Sequence, residues 1–141
     1  MSFAKLGFVT VCAAALVLAG SVTMAQVKKG KSRLLETKQL MGGLIKVQCD
    51  AVKKSVDSPP GDEKGWAALA TSAALLNEAS YVLMEDGRCP DATWADAASK
   101  VLRDGSAAVV KAAETKDSEA AKKAFGEMTK ACGACHKAHK K

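Results

Sequence analysis

Residues 117–139 read DSEAAKKAFGEMTKACGACHKAH, and this stretch decides the fold. Its apolar or soft side chains fall at Ala121, Phe125, Met128, Cys132, Cys135 and His139, in alternating steps of three and four. That spacing lines one face of an α-helix and buries it against neighbours. Asp117 stands where an N-cap belongs, since its carboxylate can accept from the unsatisfied N–H groups of a first turn. The same pattern extends backwards between three breaks: Asp57-Ser58-Pro59-Pro60-Gly61, Asp86-Gly87-Arg88-Cys89-Pro90 and Thr115-Lys116-Asp117. Proline and glycine mark the first two as turns. Asp62 and either Asp91 or Thr93 are the matching N-caps, with Thr93 and Asp96 spaced as a capping box. One segment carries Trp66, Leu69, Ala73, Leu76, Ser80 and Leu83; the next carries Trp94, Ala98, Val101, Gly105, Ala108 and Ala112. The first, looser, carries Leu34, Met41, Ile45, Val52 and Val56. Four helices of roughly 22 to 27 residues joined by short links predict an all-α, antiparallel up-down-up-down four-helix bundle.

The rest of the composition agrees. The chain has 141 residues, 48% of them hydrophobic and 26% charged, which excludes a disordered or collagen-like polymer and suits one domain. No alternating strand pattern persists. Aromatics make up only 4%, so the core either packs small residues tightly or surrounds something large and flat.

Residues 1–25 read as a cleavable signal peptide: Lys5, an apolar run from Leu6 to Gly20 broken only by Thr10, and small residues Thr23 and Ala25 ahead of the cut. The run is short of the ~20 residues of a spanning helix. Ser21 stands where a lipoprotein would need cysteine. The expected product is one domain, 26–141, exported to the periplasm and without stable membrane insertion. The leader removes Cys12, one lysine and no acid, so the net charge falls from +6 to +5.

Cys132-Gly133-Ala134-Cys135-His136 carries the chemistry. Two thiols three residues apart on a helix can add across the two vinyl groups of one haem, and the adjoining imidazole can bind its iron. One such motif implies one covalent haem c, and a porphyrin explains the core that aromatics do not fill. A thioredoxin-like pair would instead follow a strand. Structural zinc would draw ligand pairs from separate segments rather than from one helix. Two merely buried cysteines leave the histidine unexplained.

Reflection through the turns near residues 116, 89 and 59 places His136 level with about residues 97, 81 and 38. Met41 lies three residues from that level, ~4–5 Å at 1.5 Å per residue, on the inward stripe of the first helix. A thioether there is a soft ligand that raises the reduction potential, or else packing over the porphyrin. Gly42 and Gly43 let the first helix pass the haem edge or bend. Tyr81 is a candidate haem contact; Trp66 and Trp94 read as core anchors. His139 and Met128 share the helix of His136 and cannot reach the opposite iron face, and Met84 is a weaker candidate than Met41. Cys49 and Cys89 come out ~28 Å apart along the bundle, too far for the ~7 Å of a disulfide.

Together these features resemble the cytochrome c′ group, the class II c-type cytochromes. The resemblance rests on Cys132 to His136 followed by Lys137-Ala138-His139-Lys140, on the segment from Pro90 to Ala98, and on Glu36-Thr37-Lys38-Gln39-Leu40-Met41, whose last residue matches the distal position. The family often has an aromatic and an arginine where His139 and Lys140 stand, so the proximal surroundings differ here. The resemblance implies a distal residue that is either apolar, leaving the iron five-coordinate, or a methionine that binds it; Met41 favours the second. It also implies a homodimer through the first two helices. The leading expectation is a periplasmic electron carrier, not an enzyme, with His136 proximal and Met41 distal. The alternatives are a five-coordinate cytochrome c′ binding nitric oxide or carbon monoxide, and a thiol–disulfide oxidoreductase using Cys132 and Cys135. Lys28, Lys29, Lys31 and Arg33 fall at the same end as Lys137, Lys140 and Lys141, a solvated surface or a patch for an acidic redox partner. No aromatic-interleaved basic stripe points to nucleic acid.

Overall fold

A computed structural model describes residues 32–140, so residues 1–25, read above as a signal peptide, and the lysines at 28, 29, 31 and 141 lie outside the described residues. Four helices form the bundle. The first, α1 (37–57), is α-helical over Thr37–Leu40 and Lys46–Asp57, with a π-helical segment, Met41–Ile45, between them. The second, α2, spans Glu63–Met84. The third, α3 (92–114), again encloses a π segment, Asp96–Leu102, between Ala92–Ala95 and Arg103–Glu114. The fourth, α4, spans Ser118–His139. No helix among the described residues is long and apolar enough to cross a membrane.

The caps fix the boundaries. The carboxylates of Asp62, Asp91 and Asp117 accept from the backbone N–H of Gly65 (2.8 Å), Trp94 (2.9 Å) and Ala120 (2.9 Å). Asp91 rather than Thr93 therefore opens α3, and Thr93 lies within its first turn. At the start of α1, Gln39 reaches back to accept from the Glu36 N–H at 2.9 Å. The link from α2 to α3 reverses through Asp86 and Gly87, both with left-handed backbone (φ 62° and 75°). Glycine adopts this region freely and aspartate tolerates it.

The core joins Val52 and Val56 of α1 to Leu69, Ala73, Leu76, Ala79 and Leu83 of α2, and to Val109, Ala112, Ala113, Ala121 and Met128 of α3 and α4. Trp66, expected as an anchor, is buried among them. The predicted α2 face is buried at every position. The α3 face is buried as predicted at Trp94, Ala98 and Ala112 and slips by one between the last two. Leu102, Ser106 and Val109 are buried where Val101, Gly105 and Ala108 were expected. The π segment is the cause: its i→i+5 bonding inserts an extra residue into the turn and rotates everything downstream. Leu34, expected on the α1 face, precedes the helix and is 85% exposed.

Gly105 keeps one role. A Cβ there would come within 2.7 Å of the Met128 Cβ and 3.1 Å of its Cα, so glycine is what lets α3 and α4 cross so closely. Gly42 and Gly43 have no such neighbour: a Cβ on either would meet nothing within 4 Å among the protein atoms. Their setting is the π segment, the irregular-helix alternative of the sequence reading.

Candidate haem site

Where both π segments fall, the bundle opens. The resulting cleft holds about 440 Å³ of space continuous with solvent. Met41 and Ile45 of α1, Leu83 of α2, Trp94, Ala97, Ala98 and Leu102 of α3, and Cys132, Cys135 and His136 of α4 line it. The lining is apolar apart from two thiols and one imidazole, all on one helix. The four residues singled out for haem attachment and iron ligation thus meet in one place, although Met41 is 91 positions from Cys132 in the chain.

Local structure explains how each arrives. Cys132, Cys135 and His136 follow the α4 core face one turn beyond Met128, which is fully buried against Gly105. Met41 opens the first π segment, and Ala97, Ala98 and Leu102 come from the second. Small alanines on α3 leave room that larger side chains would fill. Trp94 belongs to the cleft wall as well as to the core: its indole N–H donates to the Leu83 carbonyl at 2.8 Å, tying α2 to α3. Its ring meets His139 edge-on, with centroids 5.5 Å apart. His139 Nε2 also lies 3.4 Å from an Asp91 carboxylate oxygen, so this histidine braces the end of α4 against the start of α3.

Tyr81 is not part of the lining. Its ring is half exposed and carries the Arg103 guanidinium 3.6 Å from its centroid, while Arg103 Nε donates to Ser80 Oγ at 3.0 Å. Tyr81 thus belongs to a polar seam between α2 and α3, in which Asn77 also donates to the Arg103 carbonyl at 2.8 Å. Met84 packs at the margin of the core, outside the cleft.

The four described cysteines are free thiols. Cys49 and Cys89 are unbridged, as the sequence spacing led us to expect. Cys89 Sγ lies 3.5 Å from the Asp91 carbonyl. Cys49, however, hydrogen-bonds Cys132, a pairing that a ruler built on straight α-helices misses. The consequence is asymmetric. The hydrogen bond and burial push the Cys49 thiol far up, whereas the bond received from Cys49 outweighs burial at Cys132 and pulls it down to about 7. Burial, then the charges of Cys132 and Asp91, push the Cys135 thiol up. The thiolate is the nucleophile, so Cys132 is the readier of the attachment pair.

These features suit a haem c: a flat apolar cleft, two thiols and an imidazole on one helix, and a thioether supplied by another. No curated protein and no solved structure matched the chain closely enough to support a comparison. A family model described as cytochrome C′ matches residues 84–140. That segment, which holds α3, α4 and the Cys132–His136 motif, is similar to the cytochrome c′ family, whose members carry one covalently attached haem c.

Proposed function

We propose that this cytochrome is an exported carrier of single electrons in which Cys132 and Cys135 attach the haem, His136 binds the iron on its proximal side and Met41 binds it on the distal side. The observation that carries the reading is the meeting of Met41 with Cys132, Cys135 and His136 in one apolar cleft. The bound haem supplies the one-electron couple of its iron. Cys132, the more acidic thiol, and Cys135 are the residues that would hold the ring on α4 through thioether bonds to its vinyl groups. His136 then presents an imidazole nitrogen from the same turn. Met41 brings a sulfur that favours the reduced iron and raises the potential. The alanines and Leu102 of α3 keep water from the porphyrin faces, and the apolar wall strengthens every electrostatic interaction inside it. The segment 1–25 directs export, and an acidic redox protein is the fitting partner for a basic chain.

The test is optical. Oxidised protein matured with haem is expected to be low-spin, with a methionine-to-ferric-iron charge-transfer band. Met41→Ala is expected to abolish that band and leave a high-spin, carbon monoxide-binding form. A wild-type spectrum already high-spin, or one unchanged by Met41→Ala, replaces the carrier with the gas-binding reading.

A further inference from the structure

The link between α2 and α3 contains a charge pair that the haem chemistry does not use. Arg88 is only 1% exposed, the largest fully buried side chain among the described residues. Its Nη1 lies 3.4 Å from Asp86 Oδ2, and the Asp86 side chain is itself only 6% exposed. Arg88 Nη2 donates to the Leu35 carbonyl at 2.9 Å, while its Nε finds no hydrogen-bond partner among the described residues. Asp86 is fully engaged on its other side. It accepts from the Ser32 N–H (2.8 Å), the Ser32 hydroxyl (2.9 Å) and the Arg33 N–H (3.0 Å). Two side chains of one turn therefore grip the four residues, 32–35, that lead into α1.

Burying an arginine with one nitrogen unpaired is a poor way to add stability, since desolvation offsets much of the ion pair's attraction. Fixing a register is the best-attested use of such pairs. What lies downstream gives the register its meaning. The gripped segment runs straight into Glu36, a single helical turn, Thr37–Leu40, and then Met41. Met41 itself opens the π-helical segment, which continues through Gly42 and Gly43, both exposed and without close neighbours. A π segment with paired glycines is a compliant joint. It separates the turn that leads to Met41, which Leu40 seats in the core, from the regular helix Lys46–Asp57. On the other side the grip of Asp86 and Arg88 has no such slack.

We infer that Asp86 and Arg88 form a clasp that holds the first turn of α1 against the α2–α3 link and so sets the Met41 sulfur over the iron. Both are positioning residues. The inference rests on the reading that Met41 is the distal ligand, and it predicts that the strength of this ligation is controlled from residues outside the cleft.

The experiment uses the matured haem protein with Asp86→Asn, Arg88→Lys, Ser32→Ala and Met41→Ala. Asparagine tolerates the left-handed backbone of position 86, so that substitution removes charge without backbone strain. Lysine keeps the cation at 88 but lacks the fork that reaches Leu35 and Asp86 together. Ser32→Ala removes one hydroxyl at the exposed rim, which keeps the test alive if a variant at position 88 fails to fold. The readouts are the charge-transfer band, the ferric spin state and the reduction potential, with far-ultraviolet circular dichroism to verify the bundle. In Asp86→Asn and Arg88→Lys the ratio of methionine-ligated to unligated ferric protein is expected to fall about tenfold, the scale of one charge-assisted hydrogen bond. The potential is expected to fall, and Ser32→Ala to lie between these variants and the parent, all with unchanged helicity. If Met41→Ala loses the band while folded Asp86→Asn and Ser32→Ala keep the parent's band and potential, the clasp is refuted and the ligation stands. If Met41→Ala changes nothing, the ligation reading itself falls and the clasp with it.

Discussion

The bundle has two halves built on different rules. In the half near the Pro59-Pro60 turn, α1 and α3 are regular α-helices, and side chains as small as alanine and serine are buried in the core. In the half near the Asp86 turn, both helices become π-helical, one over Met41–Ile45 and the other over Asp96–Leu102, and a solvent-connected cleft lies between them. A widened turn pushes its backbone and side chains out of the regular lattice of a bundle. Two such turns at the same level open the cleft, with no strand or loop inserted. Helix geometry, not helix number, separates the packed half from the open one here.

The largest expected effect breaks the open half. Cys132→Ser with Cys135→Ser leaves no covalent bond to haem, so mass spectrometry of the chain matured with haem is expected to find polypeptide alone. Thermal unfolding should then show a marked loss of cooperativity in the cleft half, where an apolar wall is left facing water. A covalently haem-bearing double variant would end the attachment assignment. The closed half is challenged by Gly105→Ala. The new methyl group meets the Met128 backbone and Cβ, which cannot swing aside, so a loss of about 1–3 kcal/mol is expected in denaturant unfolding. The optical spectrum should stay that of the parent. Equal stability would mean that α3 and α4 separate more easily than their crossing suggests. The smallest effect sharpens the boundary between the halves, where Cys49 meets Cys132. In haem-free chain the alkylation rate of Cys132 is expected to be half-maximal near pH 7, ahead of Cys49 and Cys135. Below that pH the thiol holds its proton and reacts slowly; above it the thiolate dominates. Cys49→Ala removes the donor and should move the Cys132 profile upward, and an unmoved profile would deny the contact its effect.

Much of this was readable from the sequence, and the misses share one origin. The three aspartate caps, the three turns and the α2 face needed only local rules, because capping and a regular 3.6-residue repeat are properties of neighbouring residues. Cys132, Cys135 and His136 stood out by chemistry and spacing, and the fold brings them to one cleft. The α3 face went astray at Val101, Gly105 and Ala108 because a π turn leaves no mark on a pattern read at α-helical pitch. The same irregularity hid the meeting of Cys49 with Cys132. Tyr81 sat at the right height but on the wrong side, since height along a bundle says nothing about rotation; the guanidinium of Arg103 claims its ring instead. The Asp86–Arg88 pair was invisible for another reason: its partners are 53 and 54 residues away, and one of them is a main-chain carbonyl.

The crossing at Gly105 has a consequence for speed. Met128 is seated against that glycine one helical pitch, ~5–6 Å, before Cys132. The turn that carries the attachment motif is thus bolted to its neighbour close to the cleft, against a densely packed crossing. In the proposed carrier, little of that scaffold would have to rearrange as charge arrives or leaves, which would favour rapid exchange with a partner met only in passing.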